Sequence, residues 1–250
     1  MSLPLFIYPD WPAPKNIKAY VSTRVGGFSQ PPFNSFNVAK HVNDDELIVD
    51  KNRDLLPNHE NITWLMQTHS TTCVNLDSPQ PTTIEADASF SRNKDQVCGV
   101  MTADCLPLLF CDIKGEVVAA VHAGWRGLAA GIIENSIAAM KVNPANIIAW
   151  LGPAISQANF EVGEDVKEAF LQYPQAFIPS HANGKYLLDL YLVAKQKLAN
   201  YGIDKVYGGN FCTYRQSDLF FSHRRATHEL DMTDKMPVTT GRMVSAVYIE

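Results

Sequence analysis

The sequence of 250 residues has little of what marks several large classes of protein. Its five cysteines are odd in number and form no Cys-x-x-Cys pair, which favours reduced thiols over a disulfide framework. No apolar stretch approaches the roughly 18 residues that a membrane span needs, because charged residues interrupt the most apolar third. The N-terminus also lacks the basic region and unbroken apolar segment of a secretion signal. These absences predict a cytoplasmic protein.

Basic clusters and compositional bias are missing as well. No run of lysines and arginines is longer than Arg224-Arg225, and the formal net charge is −5 at pH 7. This balance removes the electrostatic basis for general nucleic-acid binding and favours a small-molecule partner. The composition, with 46% hydrophobic and 19% charged residues, is that of a globular chain that can fold without a structural metal. We therefore predict one domain over residues 1–250, in which a bound metal would serve a function.

Apolar periodicity predicts a mixed α/β fold. Helical spacing indicates one helix from Trp125 to Met140, a second over 162–173, and a third that begins after Asp189 and stops at Gly202. Residues 1–60 are predicted to form loops around a single strand. The pattern favours a layered domain with a β core flanked by helices, and a hairpin turn at Lys114-Gly115. The predicted strands are 17–22, 62–66, 72–76, 96–101, 106–111, 117–121, 147–151, 219–222 and 243–249.

Three reactive side chains, His69, Cys105 and His122, each lie at the end of an apolar run. Strand ends are where rigid scaffolds present functional groups, although a lone His or Cys there more often packs or caps. The spacing of the three matches no zinc-finger pattern. Two imidazoles and a thiolate from separate strands would nevertheless suit zinc, with a fourth position open for water or substrate.

The same three residues allow two other chemistries. A His2Cys set with a weak axial ligand binds copper in blue-copper proteins, although seven histidines without a His-x-His pair are too few for an added multicopper cluster. Without a metal, Cys105 could act as a nucleophile with His122 as its base. Spacing alone does not choose between these chemistries.

Two arginines beside glycines are candidate substrate ligands. Arg126 lies in Gly124-Trp-Arg-Gly127, at the start of a predicted helix, where its guanidinium and the free N–H groups would bind phosphate. The alternative is that the glycines only permit a tight turn and Arg126 forms a surface pair. Arg24, beside Gly26-Gly27, is the second candidate. Neither segment is a Walker loop or a dinucleotide fingerprint.

Several blocks of sequence together resemble the YfiH-like family, also described as the polyphenol oxidase or laccase-domain family. The resemblance runs in order from about residue 20 to the C-terminus, and the blocks around Cys105 and His122 are jointly the most specific. The blocks are TRVGGFS at 23–29, QTH at 67–69, ADA at 86–88, TADCLP at 102–107, VHAGWRG at 121–127, LGPAI at 151–155, FEVG at 160–163 and TGRM at 240–243.

This resemblance implies a zinc-dependent purine nucleoside phosphorylase that uses phosphate and also deaminates adenosine. The implied substrates are adenosine, inosine, guanosine and methylthioadenosine, and the implied metal ligands are His69, Cys105 and His122. The family fold is a layered α/β domain related to Cys/His deamidase toxins. The alternatives are a metal-free Cys/His hydrolase or peptidoglycan-precursor editing factor, and a metal-bound regulatory protein without turnover.

One segment departs from the family pattern. Residues 226–240, which include His228, Asp231 and Asp234, form a longer connection than the family usually has. The resemblance therefore does not define substrate preference near this loop. Charge and the length of the apolar runs predict no nucleic-acid or membrane partner, and we infer no obligate protein partner.

Overall fold

Two mixed β-sheets stacked face to face form the centre of the protein. The computed structural model describes residues 3–229 and 238–250. The strands are β1 (Phe6–Ile7), β2 (Ile17–Ser22), β3 (Ile62–Thr63), β4 (Cys73–Asn75), β5 (Ala88–Ser91), β6 (Val97–Thr102), β7 (Leu106–Asp112), β8 (Val118–Ala123), β9 (Ile147–Leu151), β10 (Glu161–Val162), β11 (Phe177–Pro179), β12 (Tyr186–Leu188), β13 (Lys205–Gly208) and β14 (Met243–Ile249). The helices are α1 (Glu46–Arg53), α2 (Trp125–Ala130), α3 (Ile132–Met140), α4 (Glu164–Glu168), α5 (Leu190–Asn200) and α6 (His223–Glu229).

The two large sheets differ in strand order. One has six strands in the order β13-β9-β7-β8-β5-β4, and the other has five in the order β1-β2-β14-β6-β3. Both are mostly antiparallel with parallel pairs at their edges, namely β13 with β9, β4 with β5, and β3 with β6. A small antiparallel sheet, β10-β12-β11, lies apart from them. The predicted mixed α/β class is confirmed.

Burial of both faces explains why the central strands are apolar throughout. Along β7, Leu108 and Phe110 pack with the helices, whereas Leu109 and Cys111 pack against the five-stranded sheet. Every residue of β7 is buried, as expected for a strand covered on both sides. The helical layer consists mainly of α3 and α5, which contribute Ile133, Ile137, Val193 and Leu198 to the same core. The predicted layered arrangement follows from this two-sided burial.

The predicted hairpin is confirmed, and so is the start of the third helix. β7 and β8 pair antiparallel around a turn in which Gly115 adopts a φ of 72° and donates its N–H to Asp112 O. The side chain of Asp189 accepts the N–H of Leu192 and caps α5. None of the described helices is long or apolar enough to span a bilayer.

The prediction of one continuous helix from Trp125 to Met140 is wrong, because the segment forms two helices. The inward stripe forms as expected, with Leu128, Ile132 and Met140 fully buried. The chain nevertheless breaks at Gly131, whose φ of 106° ends α2 and precedes α3. A conformation this far into positive φ suits glycine, because an L side chain there meets its own backbone. The helical spacing of apolar residues continues across Gly131, so the sequence pattern does not show that the helix breaks there.

Three other expectations fail for local reasons. The segment 162–173 contains only the end of β10 and the short helix α4, because the chain turns before Pro174. Residues 219–222 form no strand, although Phe220 and Phe221 are buried as the apolar run required. Residues 1–60 contain a helix that the loop prediction missed: α1 is capped by the side chain of Asp45. Its low apolar content hid it.

Replacing Gly131 by alanine tests the break between α2 and α3. In a continuous helix, alanine for glycine would raise the free energy of unfolding by up to about 1 kcal/mol. At positive φ we expect the opposite sign, a loss of about 1–2 kcal/mol, since an L residue is strained there. Urea denaturation of the two proteins measures the difference. A gain in stability would contradict the break.

Candidate metal centre

The ends of four neighbouring strands gather the candidate site. In the β7–β8 hairpin Leu106 pairs with Ala123, so Cys105, just before β7, lies beside His122 at the end of β8. In the next pair along the sheet Ala88 is opposite Val121, which brings Asp87 to the same edge. Strand β4 runs parallel to β5, and His69 lies in the loop that enters it. Sheet register therefore joins residues that are far apart in the sequence.

The predicted ligands come close enough to share one ion. One ligand atom each from His69, Cys105 and His122 all lie within 4.8 Å of one another, and Cys105 Sγ is 3.8 Å from His69 Nε2. Bonds of about 2.0–2.3 Å to a tetrahedral zinc would separate ligand atoms by roughly 3.3–3.8 Å. Across residues 3–229 and 238–250 no other three His, Cys, Asp or Glu side chains form such a group. The donor set and its spacing fit zinc with one position open.

Asp87 holds two parts of this group at once. Its fully buried carboxylate accepts a hydrogen bond from His122 Nδ1 at 2.7 Å and the backbone N–H groups of Thr68, His69 and Ser70 at 3.1, 3.0 and 2.6 Å. Burial alone would raise the pKa of Asp87, but the hydrogen bonds from His122 and Ser70 bring it down to about 2. With Nδ1 donating to a carboxylate, Nε2 is the nitrogen through which His122 would bind a metal.

Unusual backbone conformations place two of the ligands. His69 has a φ of 61° and Asp104, the residue before Cys105, has a φ of 92°. Asp104 is held there because its carboxylate accepts the Thr213 hydroxyl at 2.6 Å and the N–H of Arg224 at 2.7 Å. Left-handed residues other than glycine cost of order 1–3 kcal/mol and cluster at functional sites. The surrounding hydrogen bonds maintain both.

Gly124 makes room for the ligands to meet. A Cβ at this position would lie 2.5 Å from His69 Cδ2 and 3.2 Å from Cys105 Sγ. The first distance is far inside van der Waals contact, so any side chain at position 124 would displace the imidazole. The space between His69 and Cys105 thus requires a glycine at position 124, whatever the turn itself requires.

The charges of the site favour a thiolate. Burial raises the pKa of the Cys105 thiol, but the charge of His122 and hydrogen bonds from His122 and His69 outweigh it and bring the pKa to about 6. Burial lowers the pKa of His122, whereas Cys105 and Asp87 raise it to about 9. Thiolate is the form of cysteine that binds metals and attacks electrophiles.

Two cavities of different character meet at Cys105. The larger cavity, of about 350 Å³, is lined by the three candidate ligands. The smaller cavity, of about 210 Å³, shares three lining residues with it, namely Ala103, Cys105 and His223. No carboxylate lines the larger cavity, although the chain as a whole is acidic. The larger cavity is also lined by His41, Gln67, Thr102, Arg126 and Arg242. The smaller cavity is also lined by Trp125, Ile155, Phe160, Leu190 and Arg224.

The structure brings one predicted arginine to the site and not the other. Arg126 is exposed and lines the larger cavity, with its guanidinium carbon 4.3 Å from the ring centroid of Trp125. Helix α2 begins beside it but has only six residues, so its dipole adds little. Arg24 lines a separate cavity, and its guanidinium donates to the carbonyl oxygens of Asn34 and Ser217.

Several residues of the site were not predicted as functional. Asp87, Gln67 and Arg242 lie in the ADA, QTH and TGRM blocks, so the resemblance pointed to them although no chemistry of their own did. Gln67 exchanges hydrogen bonds with the backbone of Met101 at 2.7 and 2.8 Å and fixes the loop that carries His69. Of the long connection, His228 contacts the hydroxyl of Tyr214 at 3.0 Å. Asp231 and Asp234 lie outside the described residues.

The other cysteines are structural. All five cysteines are free thiols. Cys98 and Cys111 are fully buried, and burial raises the pKa of each. Cys73 is half-buried, and burial raises its pKa to about 11. Cys212 is buried beside the hydroxyl of Ser156, which lies 3.0 Å from its sulfur.

Comparison with known proteins identifies the family to which this chain is similar. The family described as multi-copper polyphenol oxidoreductase laccase matches residues 18–250. The purine nucleoside phosphorylase YfiH of Escherichia coli is 45% identical over 97% of this chain and 98% of its own length. The purine nucleoside phosphorylase of Haemophilus influenzae is 44% identical over 98% of this chain and 99% of its own length.

Solved structures agree. The crystal structure of Neisseria meningitidis protein NMB0706 superposes with a TM-score of 0.88 at 43% identity, covering 99% of this chain and 100% of that one. The crystal structure of YlmD from Geobacillus stearothermophilus gives a TM-score of 0.88 at 25% identity, covering 100% of this chain and 98% of that one. The chain therefore belongs to the laccase-domain, YfiH-like family, as the sequence blocks indicated.

Removing the charge of Asp87 tests its role at the metal centre. In Asp87→Asn the amide cannot accept all the N–H groups that now face it, so His69 and His122 lose their orientation. We expect zinc affinity to fall by about 10–100-fold, the usual effect of changing a residue that orients a ligand. Chelator competition on the purified proteins measures it.

Asp112→Asn is the matched control. Asp112 is also buried and accepts the backbone N–H groups of Lys114, Glu116 and Val117, but it lies at the opposite end of β7. This variant should lose stability and keep its zinc affinity. Equal zinc affinity in Asp87→Asn and the wild type would refute the role of Asp87.

Proposed function

We propose that the protein is a zinc-dependent purine nucleoside phosphorylase. The observation that carries this proposal is that Cys105 lies between a cationic cavity without carboxylates and a smaller cavity lined by Trp125 and Phe160. A phosphate and a planar base need such different surroundings on either side of one reacting centre. The names of the relatives from Escherichia coli and Haemophilus influenzae support the same activity.

His69, Cys105 and His122 would hold the metal. When bound, zinc would supply a Lewis acid at the cavity that these three residues line. We propose zinc rather than copper because phosphorolysis changes no oxidation state. The description of the family names several coppers, yet the part of the chain that the structure describes gathers a single group of three ligands. That group includes two of the seven histidines of the sequence.

In the proposed reaction an oxygen of phosphate bonds to C1′ of the nucleoside while the bond from C1′ to the base nitrogen breaks. The base leaves with the electron pair and takes a proton, and the other product is a pentose 1-phosphate. Trp125 and Phe160 would hold the purine ring by aromatic contact. Arg126, on the rim of the larger cavity, would contact the phosphate or the sugar. Adenosine, inosine, guanosine and methylthioadenosine are the proposed substrates.

The same site is proposed to deaminate adenosine. Here water adds to C6 of the purine and ammonia leaves, giving inosine. This reaction needs the base pocket and the metal centre but no phosphate. A preparation that loses phosphate binding should therefore retain more of its deamination than of its phosphorolysis.

One observation favours a second candidate, a Cys/His hydrolase. Cys105, His122 and Asp87 are arranged as nucleophile, base and orienting carboxylate, and the lowered pKa of Cys105 suits a nucleophile. Peptidoglycan precursors are the proposed substrates of this alternative. The relation to Cys/His deamidase toxins implied by the resemblance remains a prediction.

The free cysteines support a reducing compartment. All five thiols are unpaired, which is usual in the cytoplasm and unusual in secreted proteins. We propose a cytoplasmic location on this ground, with purine nucleosides and phosphate as partners.

Removal of Cys105 tests the proposed function. The wild type should bind about one zinc per chain and release base from adenosine only when phosphate is present. Cys105→Ala should lose both zinc and base release but remain folded, because the core does not depend on the metal. Metal analysis and a base-release assay measure the two properties. Cys73→Ala, which removes a half-buried thiol outside the site, should keep both. Full zinc occupancy in Cys105→Ala would overturn the ligand assignment.

Alkylation separates the zinc enzyme from the cysteine hydrolase. A thiolate bound to zinc is shielded, so Cys105 should resist iodoacetamide until a chelator is added, and then react quickly because its pKa is low. Mass spectrometry of the labelled peptide follows the reaction. Rapid labelling of the zinc-loaded protein with parallel loss of activity would favour the hydrolase instead.

A further inference from the structure

The larger cavity contains an arginine whose guanidinium is only partly used. Arg242 Nη1 donates to the carbonyl oxygens of Thr240 and Gly241 at 2.8 and 3.2 Å, and these are its only side-chain acceptors among residues 3–229 and 238–250. Nε and Nη2 therefore keep N–H groups that face no acceptor in that part of the chain. Such a fork matches the oxygens of a phosphate in geometry and charge.

Neighbouring elements hold the backbone that carries this side chain. Arg242 immediately precedes β14, its backbone N–H donates to the buried side chain of Asn37 at 2.9 Å, and its carbonyl accepts the N–H of Val38. Strand β14 pairs with β6 so that Met243 is opposite Thr102, which also lines the cavity. A group held in this way loses little freedom when it binds a ligand.

Thr102 provides a second, independent sign of a ligand. Its side chain is only 2% exposed, and its hydroxyl Oγ1 has no hydrogen-bond partner in the described structure. A buried hydroxyl without a partner costs free energy, so such groups in folded proteins usually await a ligand or water. Thr102 and Arg242 line the same cavity from neighbouring strands. A tetrahedral oxyanion there would satisfy both.

The charges of the cavity point the same way. No carboxylate lines it, and burial together with the charge of Arg242 lowers the pKa of both His41 and His223. Arg126 and Arg242 are the two arginines in its lining, and a guanidinium stays charged at neutral pH. Arg126 is exposed at the rim and stacks on Trp125, whereas Arg242 is only partly exposed, and burial lowers its pKa. A poorly solvated cation gains more from an anion than an exposed one does.

We propose that Arg242, with the hydroxyl of Thr102, is the principal phosphate-binding group of the protein, and that Arg126 has the lesser role. The assignment of the anion as the phosphate co-substrate rests on the proposed function. The site would otherwise bind any tetrahedral oxyanion of similar size. The five-stranded sheet would thus bind the phosphate, and the six-stranded sheet would carry the candidate metal ligands.

The test measures binding of inorganic phosphate to the zinc-loaded protein by calorimetry and, separately, the apparent phosphate KM of base release. Arg242→Gln should weaken phosphate by tenfold or more in both measurements, because a charged fork is lost. The phosphate affinity of Arg242→Lys should lie between those of Arg242→Gln and the wild type, because a point charge replaces the forked guanidinium. Arg126→Gln, the same change at the other arginine, should have the smaller effect. Zinc content should be unchanged in all three.

Thr102→Val decides the matter if the Arg242 variants do not fold. The hydroxyl has no partner in the described structure, so its removal at constant shape should leave the fold intact. We expect phosphate binding to weaken severalfold. A change below twofold in both Arg242→Gln and Thr102→Val, or a larger effect of Arg126→Gln than of Arg242→Gln, would overturn the proposal.

The two measurements separate this inference from the proposed function. If the wild type binds phosphate through Arg242 but releases no base, the anion site stands and the phosphorylase activity fails. If base release depends on phosphate but its KM does not respond to Arg242, the activity stands and the anion site is wrong. If the wild type binds no phosphate, the anion site is wrong.

Discussion

The carboxylate of Asp87 is the constraint on which the candidate site depends. It is buried without exposure, yet it remains ionised because four hydrogen bonds reach it. Three of them come from the backbone of the loop that carries His69, and the fourth comes from His122. One charge thus fixes the conformation of one ligand and the free nitrogen of another. Burying a carboxylate is costly unless it is fully paired, and here the pairing itself shapes the site.

Two sheets divide the chemistry that this constraint makes available. Strand ends of the six-stranded sheet place His122, Cys105 and the loop of His69, whereas β6 and β14 of the other sheet place Thr102 and Arg242. The inner faces of the sheets are packed with Leu109, Val118 and Val247, among others, so the two halves of the site cannot shift independently. Packing in the core therefore sets distances in the cavity.

The sequence predicted the candidate ligands because their chemistry is specific and each lies at the end of an apolar run. His69, Cys105 and His122 are reactive types at the ends of apolar runs, and the hairpin at Lys114-Gly115 correctly implied that β7 and β8 are neighbours. Asp87 and Arg242 escaped because an aspartate or arginine is usually a surface residue, and only tertiary register shows what it faces. The break at Gly131 escaped because the burial pattern continues across it, so periodicity could not report a change in φ.

The most direct test of the candidate metal centre is its coordination shell, measured by X-ray absorption at the zinc edge. We expect one sulfur at about 2.3 Å and two imidazole nitrogens at about 2.0–2.1 Å, with one further light atom. The sulfur should be absent from any zinc that Cys105→Ala retains. A shell with no sulfur, or one that contains two, would contradict the site formed by His69, Cys105 and His122.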